Sequence, residues 1–192
     1  MFRVGFSSGP VRWPRSVTWL LQTPRKGSVS KRFIALSVHQ VVESVLDGIP
    51  EDERLWVSRA LNIWFHPLMF DTVNGGWINL LKVKRSGMLN RHFHPAPVCA
   101  YVIKGSWRYL EHDWIATEGS FVYAPPGETH ALVVGNNVEE MITWFHVCGC
   151  RIYMDDQGKQ VDYEDVHTKI RKTEDHARYH GLGPDFVKQM IR

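Results

Sequence analysis

From Trp64 to Val161 turn-forming residues interrupt the chain about once every ten positions. Asn74-Gly75-Gly76, Ser86-Gly87, Pro95 with Pro97, Gly105-Ser106, Glu118-Gly119, Pro125-Pro126-Gly127, Gly135-Asn136-Asn137 and Asp155-Asp156-Gln157-Gly158 each close a segment too short for a packed helix. This cadence leaves room for little except a β-sandwich or β-barrel. Strands are expected at residues 64–70, 77–84, 88–94, 98–104, 107–111, 114–117, 120–124, 130–134, 141–147, 151–154 and 159–161. Residues 98–104, rich in β-branched and aromatic side chains, give the strongest strand signal.

The pattern changes at both ends. Residues 165–180 have helical composition and Gly181 is placed as a C-cap, with a second short helix expected over 184–191. These helices should pack outside the barrel or at a subunit interface. Before Glu43 no acidic residue occurs, while Arg3, Arg12, Arg15, Arg25, Lys26, Lys31 and Arg32 do. Residues 1–30 read as a basic, disordered arm, as residues following a start codon placed too early, or as an organelle transit peptide. Pro10, Pro14 and Pro24 count against the amphipathic helix that a transit peptide uses. Residues 31–62 form a lead-in in which Ser37 and Gln40 can box a short helix through Leu46. The barrel is expected over 63–161 and the helical tail over 162–192.

Composition excludes several functions. A net charge of +3 with no Lys/Arg run argues against nucleic acid. Val17 to Leu21 is the apolar patch nearest the start, and no apolar run approaches the ~20 residues of a membrane span. Cys99, Cys148 and Cys150 make no disulfide framework and suit a reducing, cytoplasmic setting. Cys148-Gly149-Cys150 can bind a soft metal, but buried cysteines more often act as small apolar residues.

The chemistry concentrates at His92, His94 and His130. On a strand, residues i and i+2 point to one face with Cα atoms roughly 7 Å apart, so His92-Phe93-His94 chelates only if that segment is extended. His130 follows the rigid Pro125-Pro126-Gly127-Glu128-Thr129 turn and can face the pair across a curled sheet. Imidazole suits Fe, Zn, Cu and Ni. Glu111 and His112 have opposite parity, so one of them points inward. Glu111 is a candidate fourth ligand and proton carrier. His146, on the face of Trp144 and Ile142, is a second candidate for proton work. Trp77, Tyr101, Tyr109, Tyr123 and Trp144 are candidates either for a ring-binding pocket or for plain barrel core.

These residues resemble the two motifs of the cupins. The first is carried by Gly87, His92, His94, Val98 and Gly105, and the second by Gly119, Pro125, Gly127, His130 and Val134. Val98 stands where cupins carry a Glu ligand, Val134 stands where they carry Asn, and the gap after Gly87 is one residue short. The resemblance implies an all-β, double-stranded β-helix (jelly-roll) barrel with a three-histidine metal site and a homo-oligomer, dimer or tetramer. Arg91-His92-Phe93-His94-Pro95, residues 105–114 (GSWRYLEHDW) and residues 121–130 (FVYAPPGETH) further resemble the 2,4'-dihydroxyacetophenone dioxygenase family, related to acetylacetone-cleaving enzymes. That likeness implies Fe(II), a small aromatic α-hydroxyketone and O2 as substrates, and 4-hydroxybenzoate and formate as products. Three other readings remain. One is a non-catalytic zinc sensor of the anti-sigma type, although no His-x3-Cys-x2-Cys element is present. The second is a small-molecule binding barrel with a vestigial metal. The third is a metal-dependent cupin isomerase or decarboxylase, with Mn or Zn.

Overall fold

The structure is a computed structural model, and it describes residues 45–85 and 87–192. The basic arm and the capping box at Ser37 lie outside the described residues.

A 3-10 turn, Glu53–Leu55, leads into twelve strands: β1 (Val57–Ala60), β2 (Ile63–Asp71), β3 (Gly76–Lys84), β4 (Met88–Phe93), β5 (Val98–Lys104), β6 (Ser106–Tyr109), β7 (Ala116–Thr117), β8 (Phe121–Ala124), β9 (Thr129–Val133), β10 (Glu140–Val147), β11 (Arg151–Met154) and β12 (Gln160–Glu164). Helices α1 (Val166–His180) and α2 (Asp185–Lys188) follow. The strands form two six-stranded antiparallel sheets, ordered β1-β2-β3-β10-β5-β8 and β12-β11-β4-β9-β6-β7. This is the expected all-β jelly roll. Among the described residues no helix is long and apolar enough to cross a membrane.

Strand alternation sets what each sheet offers the interior. On β10, Met141, Thr143, Phe145 and Val147 are buried, and Phe145 belongs to the main core with Trp77, Leu81, Val98 and Leu132. The opposite face of the first sheet carries a separate apolar layer of Trp56, Leu80 and Ile142, against which Trp64, Ile103 and Trp144 pack. On this face Lys82 makes an ion pair with Glu53 at 2.9 Å and cation–π contacts 4.1 Å from the Trp56 ring centre and 5.8 Å from that of Trp64.

Strand β1 was not expected from the sequence. Only four residues long, it pairs with β2 through Ile63–Phe65 after a turn in which Asn62 takes a positive φ of 61°, a conformation Asn tolerates better than most residues. Because β1 is short, the far end of β2 has a free edge. The last residues cover it: Phe70 N–H donates to Met190 O at 2.8 Å and Arg192 N–H to Phe70 O at 2.8 Å. The second helix is therefore a single turn rather than the longer element expected, because residues 190–192 serve as an edge partner instead.

Helix α1 follows its sequence signals. Asp165 and Thr168 form a reciprocal capping box at 2.7 Å, and Gly181 ends the helix at φ 67°. Its buried stripe is Val166, Lys169, Thr173 and Ala177. A lysine in that stripe is unusual and has a counterpart in Glu164, at the end of β12.

Candidate metal centre

Strands β4 and β9 position the histidines. His92 and His130 are direct cross-strand partners. Between Leu89 and His92 the register shifts, so both side chains point inward although they are three residues apart, as a bulge allows. The carbonyl of Asn90, within the bulge, accepts from His92 Nδ1 at 2.7 Å. This bond selects the tautomer that leaves Nε2 as the ligand atom. His94 lies just beyond β4 but keeps the pairing, its N–H donating to Glu128 O at 3.2 Å and its carbonyl accepting from Gly127 N–H at 2.9 Å.

All three rings are buried, at 1–2% exposure. His92 meets His94 and His130 edge-on, with centroids 4.9 and 4.8 Å apart, and His130 lies flat on Tyr109 at 3.6 Å. One ligand atom from each histidine falls within 4.8 Å of the others, and this is the metal-ligand cluster among the described residues. Two metal–nitrogen bonds of about 2.0–2.1 Å span at most about 4.2 Å, so an ion would draw the rings slightly inward.

Two further observations fit a cation. His94 Nδ1 and both ring nitrogens of His130 are buried without a hydrogen-bond partner. The rings are also held neutral, the form that binds metal. Burial, followed by the charge of Arg151, pushes His92 well below its ordinary pKa, His94 to about 2 and His130 to about 4.

Val98, which stands where cupins carry a Glu ligand, is buried and lines the cavity beside His92 and His94. Leu81, Leu132 and Phe145 complete an apolar wall, while Asn79, Arg59 and Arg151 supply its polar groups. The cavity leaves about 10 Å³ open to the centre of a water molecule, room for about one water.

The structure does not bring every candidate to this point. Strand β6 ends at Tyr109, so Glu111 falls in a turn, exposed, and its carboxylate accepts from Ala131 N–H at 3.0 Å. It is not part of the cluster. His112 stacks on Trp114 and lies 3.8 Å from Glu128. His146 does share a face with Trp144 and Ile142, but that face is the outer one, where its Nε2 lies 3.7 Å from Cys148 Sγ. Tyr101 and Tyr123 are likewise outward and about half exposed. Trp77 is core, and of the five aromatic candidates Tyr109 lines the cavity.

Several site residues were not foreseen. Glu128 Oε2 lies 3.7 Å from His130 Nδ1, just beyond direct hydrogen-bond reach. Its signal was its place two residues before His130 in the same turn. Arg59 and Arg151 lie on β1 and β11; Arg151 opens the expected strand 151–154, whereas Arg59 lies on the strand that carried no local signal.

The fold and a buried three-histidine cluster define a metal-binding cupin. The chain belongs to the ChrR cupin-like domain family, whose profile matches residues 48–149. An RmlC-like cupin from Ralstonia eutropha JMP134 is 30% identical, with a TM-score of 0.64 over 69% of this chain and 87% of that one. A cupin-like protein of unknown function from the same organism is 23% identical, with a TM-score of 0.60 over 62% and 75%. An acetylacetone dioxygenase from Acinetobacter johnsonii shares the fold at 13% identity, with a TM-score of 0.58 over 71% and 97%. No curated protein matches the chain in sequence.

Proposed function

We propose that this chain is an iron-dependent dioxygenase that cleaves the carbon–carbon bond between two oxygenated carbons, with an aromatic α-hydroxyketone such as 2,4'-dihydroxyacetophenone the first substrate to try. The observation that carries the reading is the replacement of the carboxylate ligand by a buried Val98 beside three neutral imidazoles. The fold shared with an acetylacetone dioxygenase supports it.

His92, His94 and His130 would hold the ion. Ferrous iron, when bound, would supply Lewis acidity toward the substrate's oxygens and a site where dioxygen reacts, the four electrons that dioxygen gains coming from the two carbons that part. With no anionic ligand beside it, the ion keeps its full charge, which favours a bidentate anion over a neutral ketone. The protein's own groups do the rest. Asn90 O and the Tyr109 face fix the orientation of His92 and His130. Val98, Leu81, Leu132 and Phe145 exclude water, so little is at hand to reprotonate an enolate. The closed cavity has room for about one water, so a substrate with an aromatic ring must displace a lining side chain, whereas a compact dicarbonyl demands less.

The test combines metal analysis of the purified protein with oxygen uptake on a panel of hydroxyketones and diketones after anaerobic iron loading. Iron content with stoichiometric oxygen consumption and a cleaved product is the expected result. Zinc content and no uptake with any member would overturn it and place the chain with non-catalytic zinc-binding cupins.

A further inference from the structure

Glu164 ends β12 with no exposed surface. Four cationic side chains converge on its carboxylate: Lys172 Nζ at 3.0 Å, Arg59 Nη2 at 3.3 Å, Arg151 Nη1 at 3.4 Å and Lys169 Nζ at 3.7 Å. Arg151 and Lys169 are buried too, with side-chain exposures of 7% and 1%, and Arg59 is nearly so at 9%. One carboxylate cannot balance them, and an uncompensated charge away from water is strongly disfavoured. Some positive charge would therefore remain inside the protein even if Lys169, which burial holds well below its ordinary pKa, were neutral.

The excess has a direction. Arg59 and Arg151 do not end at Glu164; both line the cavity that holds His92 and His94. Arg151 Nε is buried without a hydrogen-bond partner. Arg151 lines one cavity with His92 and His94, and its charge acts on all three imidazoles. A divalent ion there would add charge of the same sign. Arg59 and Leu89 additionally line a second, open recess of about 280 Å³, bordered by Asn90, Tyr153 and Met154. The inner cavity thus adjoins space for the remainder of a ligand, whose head, larger than one water, enters as a lining side chain moves aside.

We propose that Arg151 and Arg59 form an anion subsite beside the three histidines, and that the ligand of this cavity is a 2-oxo or 2-hydroxy carboxylate whose carboxylate sits on the guanidinium fork while its neighbouring oxygen faces the metal position. The fork geometry of arginine matches a carboxylate through two parallel N–H donors. The inference rests on the reading of a metal site above; it puts a carboxylate in place of the neutral hydroxyketone as substrate and does not depend on oxygen chemistry.

The probes are pyruvate and methyl pyruvate, which differ in the charge of one group. Binding of each is measured by calorimetry on the metal-loaded full chain, and also on Arg151→Met, Arg151→Lys and Arg59→Met. A metal alone prefers the anion, so the informative quantity is how the preference for pyruvate changes between variants. The expected result is a preference that falls about tenfold or more in Arg151→Met, recovers in part in Arg151→Lys, and weakens in Arg59→Met, with metal content unchanged. If the preference is the same in Arg59→Met and in whichever Arg151 variant folds as in the parent, the subsite is wrong. Pyruvate binding that depends on Arg151 without oxygen uptake by the iron-loaded protein would keep the subsite and remove the dioxygenase. Oxygen uptake with neutral ketones and a preference indifferent to the arginines would do the reverse.

Discussion

The interior holds two polar clusters built on opposite plans. The histidine cluster is under-supplied: three neutral rings, three orphaned ring nitrogens, and Val98 where an anion would help. The Glu164 cluster is over-supplied: one carboxylate faces four cationic side chains. Arg151 belongs to both, bonding Glu164 and lining the cavity of the histidines. The difference teaches that burial alone does not tell a structural polar group from a functional one. A structural cluster closes its own charge and hydrogen-bond balance, and neither of these does so without a ligand.

The largest break of the comparison comes at the histidines. Replacing His94 by Ala leaves two imidazoles for the ion, and the purified protein should retain less than about a hundredth of the parent's metal affinity, beyond the 10–100-fold cost of losing an outer partner. Metal analysis after dialysis against a chelator reads this directly. Full retention of metal by His94→Ala would remove the cluster as the metal site.

At the other cluster the effect should fall on stability. Glu164→Gln removes the one anion and strands buried cations, at a cost of about 3–5 kcal/mol. The cations are not symmetrical with it. Lys169 lies 3.5 Å from the centre of the Phe65 ring and is almost fully buried. Lys169→Met keeps that packing and relieves a surplus charge, so it should cost less than about 1 kcal/mol or stabilise the fold. Urea unfolding of the two variants checks the asymmetry, and equal losses would show that the charges are balanced after all.

Acid should separate the clusters by pH window. An unfolded imidazole takes up a proton near pH 6.5, whereas folded His130 does so at about 4 and His94 at about 2. Above pH 6.5 both states are neutral and the histidines contribute nothing to the dependence. As pH falls below 6.5 the unfolded state gains protons that the folded state cannot, so stability drops by roughly 1.4 kcal/mol per unit per histidine until the folded pKa is reached. His66 and His176, also lowered, add to this window. Glu164 is held well below its ordinary value of 4.5, so its contribution is lost only as pH falls below about 4.5. Denaturation of metal-free protein between pH 7 and 5 should therefore show the loss, and bound metal should raise stability across that window without flattening the slope, because the folded rings are neutral there with or without it.

Much of this was legible in the chain, for reasons that differ by element. The strands from β2 to β11 follow from turn residues and alternation, and α1 from Asp165, Thr168 and Gly181, because these are local signals. His92, His94 and His130 were legible because a two-residue spacing and a rigid turn constrain where side chains go. The Glu164 cluster was not, since its members lie on β1, β11, β12 and α1 and meet only through tertiary packing. His146 shows a subtler gap. Its sharing of a face with Trp144 could be read from parity, but which face of β10 looks inward is decided by the second sheet.

Glu111 offers the smallest effect and the sharpest contrast with His94. Parity alone would carry it inward two residues after buried Tyr109. The chain leaves the strand at Leu110, however, and the carboxylate instead accepts from Ala131 N–H at 3.0 Å, beside His130 in sequence but not in the ligand cluster. Glu111→Gln keeps an acceptor for that N–H, so it should lower the melting temperature by no more than about 2–4 °C and leave metal content as in the parent. If metal content falls as it does in His94→Ala, the turn swings inward when the ion binds, and the under-supplied cluster would then draw its missing anion from Glu111 rather than from a ligand on Arg151.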